Sequence, residues 1–109
     1  MTEMEFLESA EQTLTAIEAA VEAVSKDVDI ETSRSGNVLT LELADRSKLI
    51  VNSQAPMQQL WVAARSGGYH YALADDGLWR DTRDGSELFA ALSKTLSVQG
   101  GAPLRLAPG

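Results

Sequence analysis

Val38-Leu39-Thr40-Leu41-Glu42-Leu43 and Lys48-Leu49-Ile50-Val51-Asn52 are two strand-like runs separated by a turn that contains Asp45-Arg46. Both runs are aliphatic and bounded by turn formers, which marks them as strands. The segment between them is too short for a parallel crossover, which takes about a dozen residues or more, so the two strands must be antiparallel neighbours. The same logic extends in both directions. Upstream, Ser35-Gly36-Asn37 separates Val38 from a run over Val28 to Thr32. Downstream, Met57 to Ala64 follows Pro56, Tyr69 to Ala74 follows Gly67-Gly68, and Leu78-Trp79-Arg80 follows Asp75-Asp76-Gly77. Turns this closely spaced predict an antiparallel meander.

Each end of the chain is helical in pattern. From Glu3 to Ser25, Phe6, Ala10, Leu14, Ile17, Val21 and Val24 recur at spacings of three and four, with no Gly or Pro, which predicts an amphipathic helix. A second helix is predicted over Ser86 to Ser97. Leu88, Phe89, Leu92 and Leu96 form its apolar face, Asp84 or Ser86 caps its start and Gly100 closes its end. A tail with Pro103 and Pro108 follows, carrying Leu104 and Leu106. The expected fold is α+β, a single domain over 1–109 in which both helices cover one sheet face and leave the other to solvent.

Composition narrows function. The 109 residues suit one domain, and a hydrophobic fraction of 44% supplies a core. There is no cysteine, which excludes disulfides, thiolate metal sites and thiol nucleophiles. The net charge of -7 argues against nucleic acid, whose phosphates need a basic face. It suits cations or basic protein surfaces, and equally serves solubility. The acidic N-terminus lacks the pattern of a secretion signal or transit peptide, and no apolar run reaches the roughly 20 residues of a membrane span. Cytoplasm is the expected location, with no membrane partner.

Three features bear on chemistry. Glu8, Glu11, Glu18 and Glu22 fall in one arc of the first helix, beside its apolar stripe. Asp27, Asp29 and Glu31 alternate with Val28 and Ile30, so in a strand they line one exposed edge. Clustered oxygen ligands suit hard cations, while a solvated helix face and a charge-protected edge strand account for the same residues. In the run Met57 to Ala64, Leu60, Val62 and Ala64 share one face. Trp61 and Gln59 share the other, which places Trp61 on the open side as a candidate protein contact. A shift of one residue would instead bury it. His70, the only histidine, points outward if Tyr69, Tyr71 and Leu73 point inward; alone it makes neither a catalytic triad nor a multi-histidine metal site. No nucleophile or phosphate-binding motif is present, so the chain is expected to bind rather than catalyse.

Asn52-Ser53-Gln54-Ala55-Pro56-Met57-Gln58-Gln59-Leu60-Trp61-Val62-Ala63, with Gly67-Gly68-Tyr69-His70-Tyr71, resembles the frataxin family, most closely its bacterial CyaY branch. The acidic first helix, the strand start Gly36-Asn37-Val38-Leu39-Thr40, Trp79 and the second helix fall in family order. The resemblance implies a two-layer α-β-α sandwich, with both terminal helices on one antiparallel sheet. It also implies weak binding of iron, ferrous or ferric, at an acidic ridge, and a role in iron–sulfur cluster assembly. The implied partners are the cysteine desulfurase, which such a protein regulates, and the cluster scaffold protein, to which it is proposed to supply iron. By position the ridge is Glu11, Glu18, Glu22, Asp27, Asp29 and Glu31, and the sheet surface is Asn52, Gln54, Gln59 and Trp61. A monomer is expected, with iron-driven oligomerisation as a variation. An iron-storing or iron-oxidising protein, and an acidic interaction module with incidental metal binding, are the alternatives. The chain departs from the family at Ala19, Ala23 and Ser25, where acids are frequent, and at Lys26, which adds positive charge. In the family a longer tail packs between the helices, a part open here to Leu104 and Leu106.

Overall fold

The computed structural model describes residues 1–107; Pro108 and Gly109, the end of the expected domain, lie outside the described residues. Helix α1 spans Glu3–Val24 and helix α2 Leu88–Gly100. Between them lie β1 Ile30–Ser35, β2 Val38–Leu43, β3 Lys48–Gln54, β4 Gln59–Ala64, β5 Gly67–Leu73 and β6 Trp79–Asp81. The six strands form one sheet in chain order, every neighbouring pair antiparallel. This is the expected meander with terminal helices on one face.

Alternation decides which face they cover. Leu39, Leu41 and Leu43 on β2, Leu49 and Val51 on β3, and Leu60 and Val62 on β4 are buried. They meet Phe6, Leu14, Ile17 and Val21 of α1 and Leu88, Leu92 and Leu96 of α2 in one continuous core. Trp79 of β6 is also in it. Its indole Nε1 donates to Thr13 Oγ1 at 2.8 Å, and its ring meets Phe6 edge-on with centroids 6.0 Å apart. That bond satisfies the one polar atom of a buried indole. The start of α1 is held by a capping box. Glu5 N–H donates to Thr2 Oγ1 and Thr2 N–H donates to Glu5 Oε1. The backbone and side-chain hydrogen bonds from Thr2 lower the Glu5 pKa.

Several boundaries differ from the sequence reading. The first strand begins at Ile30, not Val28, because Asp27 and Val28 donate their N–H groups to Val24 O and extend the end of α1 as a turn. Asp27 therefore lies in that turn and Asp29 just before the strand, so Asp27, Asp29 and Glu31 do not alternate along one strand. Met57 belongs to a 3₁₀ turn over Ala55–Met57, and Gln58 adopts the left-handed conformation at φ 51°, so β4 starts at Gln59. Helix α2 is capped by Glu87, whose carboxylate accepts from Phe89 N–H and Ala90 N–H, rather than by Asp84 or Ser86. Asp84 is engaged in its own turn, accepting from Ser86 N–H. Lastly, Gly100 is still helical and Gly101, at φ 73°, ends the helix.

The tail packs. Leu106 is 3% exposed. Its N–H donates to Ser93 Oγ at 2.8 Å, and Leu104 N–H donates to Ser97 Oγ at 3.0 Å, so two serines of α2 hold the extended chain after Gly101. Leu106→Ala removes a buried aliphatic group and is expected to cost about 2–3 kcal/mol, read as a lowered urea midpoint. An unchanged midpoint would show that the tail adds nothing to the core.

Candidate metal ridge and open sheet face

Helix α1 crosses the helix-side face of the sheet, touching β1, β3 and, through Phe6 and Thr13, Trp79 of β6, with Glu8, Glu11, Glu18 and Glu22 on one flank. Arg34 of β1 reaches that flank. Strand alternation puts its side chain on the helix side with Ile30, and only 18% of it is exposed. The guanidinium pairs with Glu11 at 2.5 Å and with Glu18, and its Nε donates to Gly36 O at 3.2 Å. Burial opposes its charge, but hydrogen bonds to Glu18 and Glu11 outweigh that, so the Arg34 pKa is raised. Two of the six expected ridge carboxylates thus already share a cation supplied by the protein.

The other four are not gathered around that pair. Glu22 and Asp27 are exposed at the last turn of α1 and just beyond it. Asp29 and Glu31 line a recess of about 290 Å³ at the β1–β2 edge, together with Glu42 and Arg46. Glu31 and Glu42 are direct cross-strand partners, and Lys48 is opposite Glu42 on the next strand. Like charges placed directly opposite destabilise a sheet, and Lys48 offsets part of that repulsion. Among the described residues, no three His, Asp or Glu side chains form a group that could hold a metal ion. The ridge is a chain of separate carboxylates rather than a pre-formed cage.

All four expected sheet-surface residues do come together, on the helix-free face. Register aligns Asn52, Trp61 and His70 across β3, β4 and β5, and Gln54, Gln59, Ala72 and Arg80 in the adjacent row. Trp61 is half-buried rather than fully open, because His70 stacks on it with ring centroids 4.4 Å apart and planes within 8°. Its Nε1 donates to Gln59 Oε1 at 2.8 Å, and Gln54 Nε2 reaches Asn52 Oδ1 at 3.4 Å. The amides therefore present the indole edge-anchored and ring-supported, ready to bury apolar area without first losing much side-chain freedom.

Sequence reasoning missed Arg34, Glu42 and the stacking role of His70. Arg34 fell beyond the strand end expected at Thr32, and the pairing of His70 with Trp61 depends on a register that two separate runs do not reveal. A larger recess, about 530 Å³, lies elsewhere, between α2, the β4–β5 turn and strands β5 and β6, beside Tyr69, Tyr71, Asp81 and Lys94. There burial, reinforced by Asp81, pushes the Tyr71 hydroxyl up to about 12.

The model of the frataxin-like domain matches residues 1–102. A protein named iron-sulfur cluster assembly protein CyaY from Janthinobacterium sp. (strain Marseille) is 60% identical, over 97% of this chain and 96% of that protein. One of the same name from Ralstonia pickettii (strain 12J) is 55% identical, over 100% and 97%. Among solved structures, the frataxin of Psychromonas ingrahamii superposes with TM-score 0.88 at 33% identity, covering 98% of this chain and 99% of that one. Trimeric frataxin from the yeast Saccharomyces cerevisiae, complexed with ferrous iron, gives TM-score 0.75 at 26% identity, covering 85% and 86%. With a family model matched over nearly its whole length and full-length relatives above half identity, this chain belongs to the frataxin family, in its bacterial CyaY branch.

Proposed function

We propose that the chain works in iron–sulfur cluster assembly as an iron-binding regulator of the cysteine desulfurase and scaffold complex, and donates iron there. The observation that carries this reading is full-length identity to proteins named for that assembly. The geometry fits it. Exposed carboxylates on Glu22, Asp27, Asp29 and Glu31 give weak, exchangeable oxygen sites for a hard cation treated as cargo. A solved frataxin binds ferrous iron. The trimer seen for the yeast protein leaves iron-driven oligomerisation as a variation on a monomeric state. An oxidase centre needs ligands held in a defined, shielded geometry, and these carboxylates face solvent, which favours carriage over oxidation. Among the described residues, no helix is long and apolar enough to cross a membrane; cytoplasmic location follows the assembly role.

The test is desulfurase turnover with and without this chain, in the presence and absence of ferrous iron. Turnover is expected to change when the chain is added, by an amount that differs between the two iron conditions. Identical rates in all four conditions would remove the regulatory role. Docking through the acidic flank is also expected to slow as salt rises, because exposed charges are screened beyond roughly 10 Å at 0.1 M ionic strength. A salt-insensitive association rate would place the contact elsewhere.

Trp61 is proposed as the anchor for the scaffold protein. Half-buried on the open face beside Gln59, His70 and Asn52, it is expected to cost about 1 kcal/mol when replaced by alanine, against roughly 3–5 kcal/mol for the core residue Trp79. Trp61→Ala should therefore fold, with a melting temperature only a few degrees lower, and lose scaffold binding. Normal binding by the folded variant would rule out this face.

A further inference from the structure

Resting on the reading of the ridge as a cation-binding surface, we infer that Arg34 is an internal competitor for it. Arg34 occupies the Glu11–Glu18 segment and confines external cations to the stretch from Glu22 to Glu31. The ridge is read as continuous only while its acids are considered alone. Glu11 and Glu18 stand seven residues apart, nearly two helical turns, so they face the same way. The Arg34 guanidinium lies between them and bonds to both. It also reaches Thr15 Oγ1 at 3.5 Å, on the intervening turn.

This is a cation-binding arrangement with its cation in place. A guanidinium keeps its charge at any physiological pH and presents a rigid fork that suits two carboxylates. Its stem is largely buried on the helix side of β1, so it is tethered at high local concentration and needs little ordering to stay. A divalent ion arriving at Glu11 or Glu18 must displace it or accept its repulsion. Glu22, Asp27, Asp29 and Glu31 have no ion-pair partner among the described residues. In this chain the capacity to take up cations therefore depends on a residue that carries no ligand atom for them.

The test uses Mn²⁺, an oxygen-seeking paramagnetic ion, titrated into the labelled full-length chain, with broadening of backbone amide signals as the map. In the unaltered protein, broadening is expected around residues 22–31, with residues 8–18 spared. In Arg34→Gln it is expected to spread to Glu11 and Glu18, and apparent affinity to rise about threefold or more, the scale of one exposed charge pair. Arg34 also ties β1 to α1, so signal dispersion checks that the variant folds. A second variant breaks the same tie without freeing a carboxylate: Glu11→Gln with Glu18→Gln, Arg34 retained, is expected to leave Mn²⁺ affinity unchanged within twofold. Broadening centred on Glu11 and Glu18 in the unaltered protein, or an Arg34→Gln map identical to it, overturns the inference while leaving the ridge intact. No broadening anywhere along residues 8–31 in either protein overturns the ridge reading itself, and this inference with it.

Discussion

The apolar stripe of α1 has only one face of the sheet to rest on, and the rest of the molecule is arranged around that contact. Phe6, Leu14, Ile17 and Val21 are wholly buried, and each such side chain stabilises the fold by roughly 1.5–3 kcal/mol relative to exposure. Strands β2, β3 and β4 supply the matching surface with every second residue. Because α2 packs on the same side, the opposite sheet face carries no helix, and α1 keeps one long flank in solvent. Both candidate surfaces are consequences of that choice. The open face presents the out-pointing half of β3, β4 and β5, and the flank presents the polar arc of an amphipathic helix.

How much of this was legible follows from the range of each interaction. The meander could be read because period-two alternation and turn chemistry are local, and a slip of one residue would expose Leu39, Leu41 and Leu43 together. The face of Trp61 was legible for the same reason, since Leu60 and Val62 fix it from either side. What failed was either competition among nearby caps or pairing between distant segments. Asp84, Ser86 and Glu87 are all competent to cap α2, and only the turn that ties Asp84 to Ser86 N–H leaves the role to Glu87. At the other end of the sheet, two extra hydrogen bonds back to Val24 O kept Asp27 and Val28 out of a strand whose composition suited them. Arg34 meets Glu18 across 16 residues of sequence, a contact no local pattern encodes.

The charges show what such a surface costs. Like charges at helical spacing and opposite one another on strands each destabilise by a few tenths of a kcal/mol, and this chain carries both kinds, at Glu18 and Glu22 and at Glu31 and Glu42. Relief is uneven. Arg34 neutralises the middle of the helical ridge, and Lys48 stands beside Glu42, while Glu22, Asp27 and Asp29 stand without a paired cation among the described residues. Ala19, Ala23 and Ser25 add no charge to the last turns of α1, so the repulsion there is limited to Glu18 and Glu22. The junction of α1 and β1 thus keeps Glu22, Asp27 and Asp29 without an ion pair, with Arg46 lining the same recess as Asp29.

That junction also links the two surfaces. Glu31 and Glu42 point to the side of the sheet opposite Ile30 and Leu43, the same side as Asn52, Trp61 and His70. The acidic character thus turns the β1 edge and continues onto the open face until Lys48, beyond which the surface becomes amide and aromatic. A basic protein lying against the α1 flank and a second protein lying over Trp61 would approach from different sides of one edge. The Glu31–Glu42 pair lies on that edge. The two surfaces are linked there by the charges of Glu31, Glu42 and Lys48, which are cross-strand neighbours. Such coupling weakens with salt and with distance, so it acts over the short span of that edge and not across the whole sheet.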